Sequence, residues 1–371
     1  MTESKSGPRP GAPLAEPATE ALLDPALLAE RLPLDAVPII DLESFLTGTP
    51  AERTRVARQI GEACRNIGFF YIVNHGIPAA LRAAVFAEAK RFFDSPLERK
   101  LEIDIERSAC HRGYFKLGGE NLDPAKQKQG GDLKEGIKIG CDLPPDHPLV
   151  VAGTPLHGPN QWPSGLPGFQ ETLQSYFDRL SDLGRQLMQA FALALELPEH
   201  HFERNLDLTM ATLGPLRYPP QQGRISEAQI GAGAHTDFGC LTILAQDEAG
   251  GLQVRNAAGQ WIDAPFIADS FVVNIGDMMA RWTNDIFAST QHRVINRSGR
   301  ERYSIPFFFD PDHDADVSCL PTCCGPDRPA RYPSTTGLQH LKDMIDATFD
   351  YRRDTGQYDR QATNRAGRQK G

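Results

Sequence analysis

The stretch Gly231-Ala-Gly-Ala-His-Thr-Asp-Phe-Gly-Cys-Leu-Thr-Ile-Leu-Ala-Gln-Asp247 decides how this chain is read. It sets His235 and Asp237 two residues apart and then runs into the apolar Leu241 to Ala245. The run is rich in β-formers, so the segment is expected to be strand. On a strand, residues i and i+2 point to one face. An imidazole and a carboxylate would then aim at one point, where a single metal ion could take both. His201-Phe202-Glu203 has the same spacing but follows a long helical pattern, and on a helix i and i+2 do not face each other. Gly231-Ala-Gly233 lacks the third glycine of a dinucleotide loop, since position 236 is Thr.

Working outward, residues 209–311 read as short strands separated by turns such as Gly250-Gly251, Ala258-Gly259 and Gly276-Asp277. Strands are expected at Ala211–Tyr218, Leu241–Ala245, Gly251–Arg255, Gln260–Asp263, Phe271–Ile275, His292–Asn296 and Tyr303–Phe309. Many short strands indicate a sandwich, jelly roll or barrel. Upstream, Phe169 to Leu197 carries apolar residues every three or four positions and predicts a core-forming helix stopped by Pro198. Further helices are expected from Thr49-Pro50, with Thr as N-cap, and over Ala79–Phe93 and Thr336–Tyr351. Val37–Leu42 and Phe69–Val73 read as strands. Residues 1–33 are expected to be a disordered tail, with at most one short helix over Ala21–Arg31. The remaining divisions are 34–205, helices with strands and substrate loops; 206–312, the β core; and 313–371, a loop, helix and tail.

The net charge of −9 argues against nucleic acid, no apolar run spans a membrane, and no export signal is visible. Seven cysteines without metal-ligand spacing suit a reduced, cytoplasmic protein. Oligomeric state is open.

A third ligand is expected from His292, at the head of Gln291-His-Arg-Val-Ile295. Two His and one carboxylate with open positions form the set used by non-haem Fe(II) oxygenases. Ten residues on, Arg302, Ser304, Pro306 and Phe308 share one face of a strand. If that face looks into a cavity, Arg302 needs an anionic partner there, and Arg suits a carboxylate in bidentate fashion. Tyr218 could add a hydroxyl. A protein carboxylate would serve Arg302 equally well on this reading, with Ser304 incidental.

The order His235-x-Asp237, His292, Arg302-x-Ser304 resembles the Fe(II)- and 2-oxoglutarate-dependent dioxygenases, and within them the isopenicillin N synthase-like branch. Arg217-Tyr-Pro-Pro220, Gly250-Gly-Leu-Gln-Val254, Val273-Asn-Ile-Gly-Asp277, Val37-Pro-Ile-Ile-Asp41 and Gly68-Phe-Phe-Tyr-Ile-Val-Asn-His-Gly76 support it. The resemblance covers about residues 36–312 and makes His75 part of a structural turn. It implies an α+β fold with a distorted jelly-roll (double-stranded β-helix) core and helices packed outside. It implies Fe(II) on His235, Asp237 and His292, with no catalytic residue beyond these ligands. The resemblance further implies dioxygen and 2-oxoglutarate as co-substrates, the distal carboxylate of the latter held by Arg302, Ser304 and Tyr218. The expected reaction is oxidation, by hydroxylation or desaturation, of a small organic molecule coupled to oxidative decarboxylation of 2-oxoglutarate. Phe308 and Tyr114 are expected on the substrate side, together with the Glu135–Gly140 strand. Substrate choice would fall to residues 104–165 and 313–335. The alternatives are an ethylene- and succinate-forming enzyme, an oxidase of the same branch that uses no 2-oxoglutarate, and, outside it, a non-catalytic β-sandwich binding module.

Overall fold

The structure is a computed structural model and describes residues 23–29, 37–128, 130–221 and 223–348. In chain order the elements are β1 (Ile39–Asp41), α1 (Glu43–Thr47), α2 (Pro50–Asn66), β2 (Phe69–Val73), α3 (Ala79–Phe93), α4 (Leu97–Lys100), β3 (Gly113–Phe115) and β4 (Glu135–Gly140). There follow α5 (Pro148–Val151), α6 (Phe169–Ala194), β5 (Thr212–Leu213), β6 (Leu216–Tyr218), β7 (Ala232–His235), β8 (Leu241–Gln246) and β9 (Leu252–Arg255). The chain then forms β10 (Trp261–Ala264), β11 (Phe271–Ile275), α7 (Asp277–Trp282), β12 (His292–Val294), β13 (Arg302–Phe309) and α8 (Gly337–Thr348).

These strands build two facing sheets. The larger runs β1-β2-β11-β8-β13-β5-β4-β3, with β6 paired to both β13 and β4, and the smaller runs β10-β9-β12-β7. This is the jelly-roll core. β2 pairs with β11, and β4 with β5 and β6, so residues before and after position 205 share one sheet and one core.

The outer helices follow from their sequences. At the start of α2 the Thr49 hydroxyl accepts the Glu52 N–H while the Glu52 carboxylate accepts the Thr49 N–H, a reciprocal cap. Along α6, Phe169, Leu173, Tyr176, Leu180, Leu183, Leu187 and Phe191 form the buried stripe that the spacing predicts. That stripe lies on the larger sheet, with the ring of Phe177 against that of Phe307 at 5.3 Å.

Several expectations shift. The strand expected over Ala211–Tyr218 is two short ones, β5 and β6, interrupted at Gly214-Pro215, because Pro215 has no N–H for the ladder. The stretch Gly231–Asp247 is likewise two strands in different sheets, with Asp237 in the turn between them. Residues 23–29 are not a free tail. Leu23 and Leu27 bury against Ile225, Ile230 and Ile295. The helix expected over Ala21–Arg31 is here one 3-10 turn, Pro25–Leu27, ended by extended backbone at Leu28. The rest of that tail, and the end of the last helix beyond Thr348, lie outside the described residues.

Candidate active site

Three side chains meet where β7, β12 and the β7–β8 turn converge. His292 stands directly opposite His235 in the antiparallel β12–β7 pair. Their rings are 4.2 Å apart. The Asp237 Oδ1 lies 3.7 Å from His235 Nε2 and 3.6 Å from His292 Nε2. The three donor atoms lie within 4.8 Å of one another, and no other such group of three occurs among the described residues.

Neighbouring groups fix what each ligand presents. His235 Nδ1 faces the Gly233 carbonyl at 2.7 Å, and His292 Nδ1 faces the Thr290 carbonyl at 3.2 Å. A carbonyl only accepts, so each Nδ1 carries the proton and each Nε2 turns a lone pair to the centre. The other carboxylate oxygen of Asp237, Oδ2, accepts from the Thr242 hydroxyl and from Asn274 Nδ2, the latter at 2.7 Å. Thr242 and Asn274 are cross-strand partners on β8 and β11. The turn residue is thereby anchored to the larger sheet, with Oδ1 left free.

Protonation agrees with this geometry. Burial, reinforced by His292, pushes His235 down to about 3, so its imidazole is neutral. Burial alone would raise Asp237, but His292, His235 and the bonds from Asn274 and Thr242 hold it below the usual carboxylate range. Two imidazoles and a carboxylate form a nitrogen- and oxygen-donor set that suits a divalent first-row metal.

The same cavity is lined by Tyr218, Arg302, Ser304 and Phe308. Arg302 is fully buried. Its Nε donates to the Gly250 carbonyl, and its guanidinium lies 4.6 Å from the centre of the Tyr218 ring. Among the described residues its Nη2 reaches only Gln246 Oε1, at 3.5 Å, and its Nη1 has no partner. Among the described residues no carboxylate lies within ion-pair distance of Arg302, so the protein carboxylate that the sequence left open is not there. A buried guanidinium with an empty edge fits the distal carboxylate of a dicarboxylic co-substrate.

Tyr114 is a correction. Alternation along β3 turns it away from the cavity: its ring packs on Phe92 in the main core, and its hydroxyl donates to Glu135 Oε2 at 2.6 Å. His75 is structural, taking the Ile77 N–H on Nδ1. In the decoy stretch Glu203 pairs with His200, not His201. Two groups of contributors were missed. Thr242 and Asn274 were signalled by polar residues inside otherwise apolar strands. Lys134 and Glu120, joined at 2.7 Å, and Asp132, which accepts the Gly233 N–H at 2.8 Å, brace β7 from a loop that gave no periodic signal.

A family model described as the 2OG-Fe(II) oxygenase superfamily matches residues 208–311, and one described as non-haem dioxygenase in morphine synthesis N-terminal matches residues 37–165. The 2-oxoglutarate-Fe(II) type oxidoreductase hxnY of Emericella nidulans is 40% identical over 319 residues, 85% of this chain and 89% of that protein. The chain belongs to the 2-oxoglutarate- and Fe(II)-dependent oxygenases. Among solved structures, a full-length Neurospora crassa protein in complex with α-ketoglutarate (2-oxoglutarate) and thymine is similar to this oxygenase, with a TM-score of 0.75 and 32% identity over 84% of this chain and 96% of that one. A 2OG-Fe(II) oxygenase family protein from Caulobacter crescentus gives 0.74 and 30% over 84% and 99%. This oxygenase is therefore a non-haem Fe(II) dioxygenase, with Fe(II), 2-oxoglutarate and dioxygen as its cofactor and co-substrates. It couples oxidative decarboxylation of 2-oxoglutarate to oxidation of a small organic molecule. No helix among the described residues is long and apolar enough to cross a membrane.

Proposed function

We propose that His235, Asp237 and His292 hold the Fe(II), that Arg302, Ser304 and Tyr218 hold the distal carboxylate of 2-oxoglutarate, and that Phe308 lines the substrate side. The observation that carries this reading is the unpartnered Nη1 of fully buried Arg302, in the same cavity as the two-His, one-carboxylate group. Bound Fe(II) supplies the activation of dioxygen. In balance, 2-oxoglutarate, dioxygen and a C–H bond give succinate, carbon dioxide and a hydroxylated product, or a desaturated product and water.

The side chains perform no acid–base step. The two imidazoles and one carboxylate would hold the Fe(II) by three donor atoms that lie within 4.8 Å of one another. Thr242 and Asn274 keep the second oxygen of Asp237 occupied, so that only Oδ1 would be offered to the metal. Arg302 orients the co-substrate from the far end, and the Leu216, Leu244, Leu252 and Phe69 walls exclude water around it. The small-molecule class is supported by the similar Neurospora crassa protein, which is solved with thymine. Seven free thiols support a reducing, cytoplasmic setting, and the charge of −9 disfavours polyanions.

The test is an anaerobic titration of the Fe(II)-loaded protein with 2-oxoglutarate, following the visible metal-to-ligand charge-transfer band, then admission of air and assay of succinate and headspace ethylene. A band followed by succinate without ethylene is expected. His235→Ala and Asp237→Ala should abolish the band, and stoichiometric iron at this site in either variant would overturn the ligand assignment.

A further inference from the structure

Besides Arg302, the cavity is lined by cations, buried or nearly so, that the proposed iron and 2-oxoglutarate sites leave unused, Lys138 and Arg112 among them. It starts from β4. Ile137 and Ile139 point into the main core and are fully buried, so Gly136, Lys138 and Gly140 share the opposite face. Both glycines are occupied notches. A Cβ at Gly136 would lie 2.4 Å from the Phe115 ring, and one at Gly140 would lie 2.0 Å from the Arg112 guanidinium. One lysine therefore projects between an aromatic ring and a guanidinium, and Lys138 and Arg112 both line the cavity.

Among the described residues Arg112 has no carboxylate within ion-pair distance, and Lys138 has only a shared one, Glu120. Lys134 takes Glu120 at 2.7 Å and Asp132 at 3.0 Å. Lys138 Nζ makes a long ion pair, 3.8 Å, with the remaining oxygen of the same Glu120, too far for a hydrogen bond. It lies between the rings of Phe115 and Phe308, at 5.6 and 5.2 Å. Arg112 is 3% exposed and, among the described residues, donates only to the carbonyls of Cys110, His111 and Leu156, while its Nε has no partner. Two cations, Arg112 and Lys138, beside Lys134 thus face one carboxylate shared with Lys134, and burying Arg112 without a counter-charge is costly, so a ligand anion at this point would be favoured.

The register separates this pair from Arg302. Gly140, under the Arg112 guanidinium, pairs with Thr212, and Thr212 pairs with Phe308. Phe308 is six positions along β13 from Arg302, roughly 20 Å at the rise of a strand. Phe308 also stands opposite Thr242, whose hydroxyl holds Asp237. An anion at Lys138 and Arg112 would thus leave the rest of a small molecule beside the three-residue metal group.

We propose that Lys138 and Arg112 bind a carboxylate on the substrate that is oxidised, so that the substrate class is a small carboxylic acid oriented with its anionic end at Phe308. This rests on the reading that Arg302 serves 2-oxoglutarate. Lys138 supplies a point charge and Arg112 a planar donor edge.

The experiment uses the full chain, anaerobic and loaded with Fe(II) and 2-oxoglutarate. It is titrated with a panel of aliphatic, aryl and heteroaryl carboxylic acids, each beside its primary amide, reading the perturbed visible band and the melting temperature. At least one acid should bind tenfold or more tighter than its amide. Lys138→Met should bring that ratio to within about threefold, and Lys138→Arg should restore part of it. A panel in which no acid binds better than its amide overturns the proposal, as does a full preference retained in Lys138→Met. The wild-type comparison decides alone if a variant fails to form the 2-oxoglutarate band. Failure of the underlying site looks different: a wild type that forms no band, or a band that persists unchanged in Arg302→Ala.

Discussion

The guanidinium of Arg302 keeps one nitrogen unbonded in a place where no solvent reaches it. Arg302→Ala should weaken 2-oxoglutarate about 100-fold, the loss of roughly 3 kcal/mol for a buried charged pair, while Fe(II) affinity stays within about threefold. Arg302→Lys should recover only part, because the two-pronged edge is lost. Equal 2-oxoglutarate affinity in Arg302→Ala would move the co-substrate clamp elsewhere. Asp310, also on the cavity wall, behaves differently. Burial, with a contribution from Asp237, pushes it up to about 7 from 3.8. A carboxyl raised in the fold stabilises the folded state fully below its ordinary value and loses that contribution as pH rises through the folded value. The metal-free protein should therefore lose melting temperature between about pH 4 and about pH 7. Asp310→Asn should flatten that loss, since the Cys240 N–H still finds an acceptor. An equally steep profile in the variant would show that another group carries the dependence.

Elements are held by close approaches that local preference would not choose. Gly184 sits inside α6, where glycine costs about 1 kcal/mol against alanine. A Cβ there would lie 2.7 Å from the ring of Phe309 on β13, which is itself fully buried. Overpacking of this kind costs typically about 1–3 kcal/mol, so it outweighs the propensity gain. Gly184→Ala should lower the urea midpoint with unchanged m-value, and a more stable variant would show that α6 slides freely on the sheet. The same distinction explains where periodicity sufficed. The α6 stripe, β2 and the Thr49 cap are local patterns, and each lies close to where the sequence puts it. The break of Ala211–Tyr218 at Pro215 was also legible in principle, because proline cannot donate to a ladder.

At the scale of the molecule, the site joins the two sheets. His235 and His292 belong to the smaller sheet, while Asp237 is tied through Thr242 and Asn274 to the larger one. A ligand bound only by the folded state stabilises it in proportion to the logarithm of its concentration, about 2.7 kcal/mol at 100 times its Kd. Fe(II) with 2-oxoglutarate at such excess should raise the wild-type melting temperature by several degrees. The rise should vanish in Asp237→Ala. An equal rise in that variant would mean that the stabilising ions bind away from the gap between the sheets.

By itself the sequence determined the residue types and their order: His235-x-Asp237, then His292, then Arg302-x-Ser304, with a helical stripe upstream and a β-rich half downstream. Those are local properties, since spacing, caps and turn residues act over a few positions. Only the tertiary structure decided that Asp237 lies in a turn rather than on a strand, that Tyr114 points into the core, and that Leu23 and Leu27 are buried. It alone left Arg302 and Arg112 without counter-charges among the described residues, and Lys138 with a carboxylate it shares with Lys134. Charge compensation inside a protein depends on which distant segments share a buried volume, and strand pairing across more than a hundred residues is not written in the spacing of any one of them.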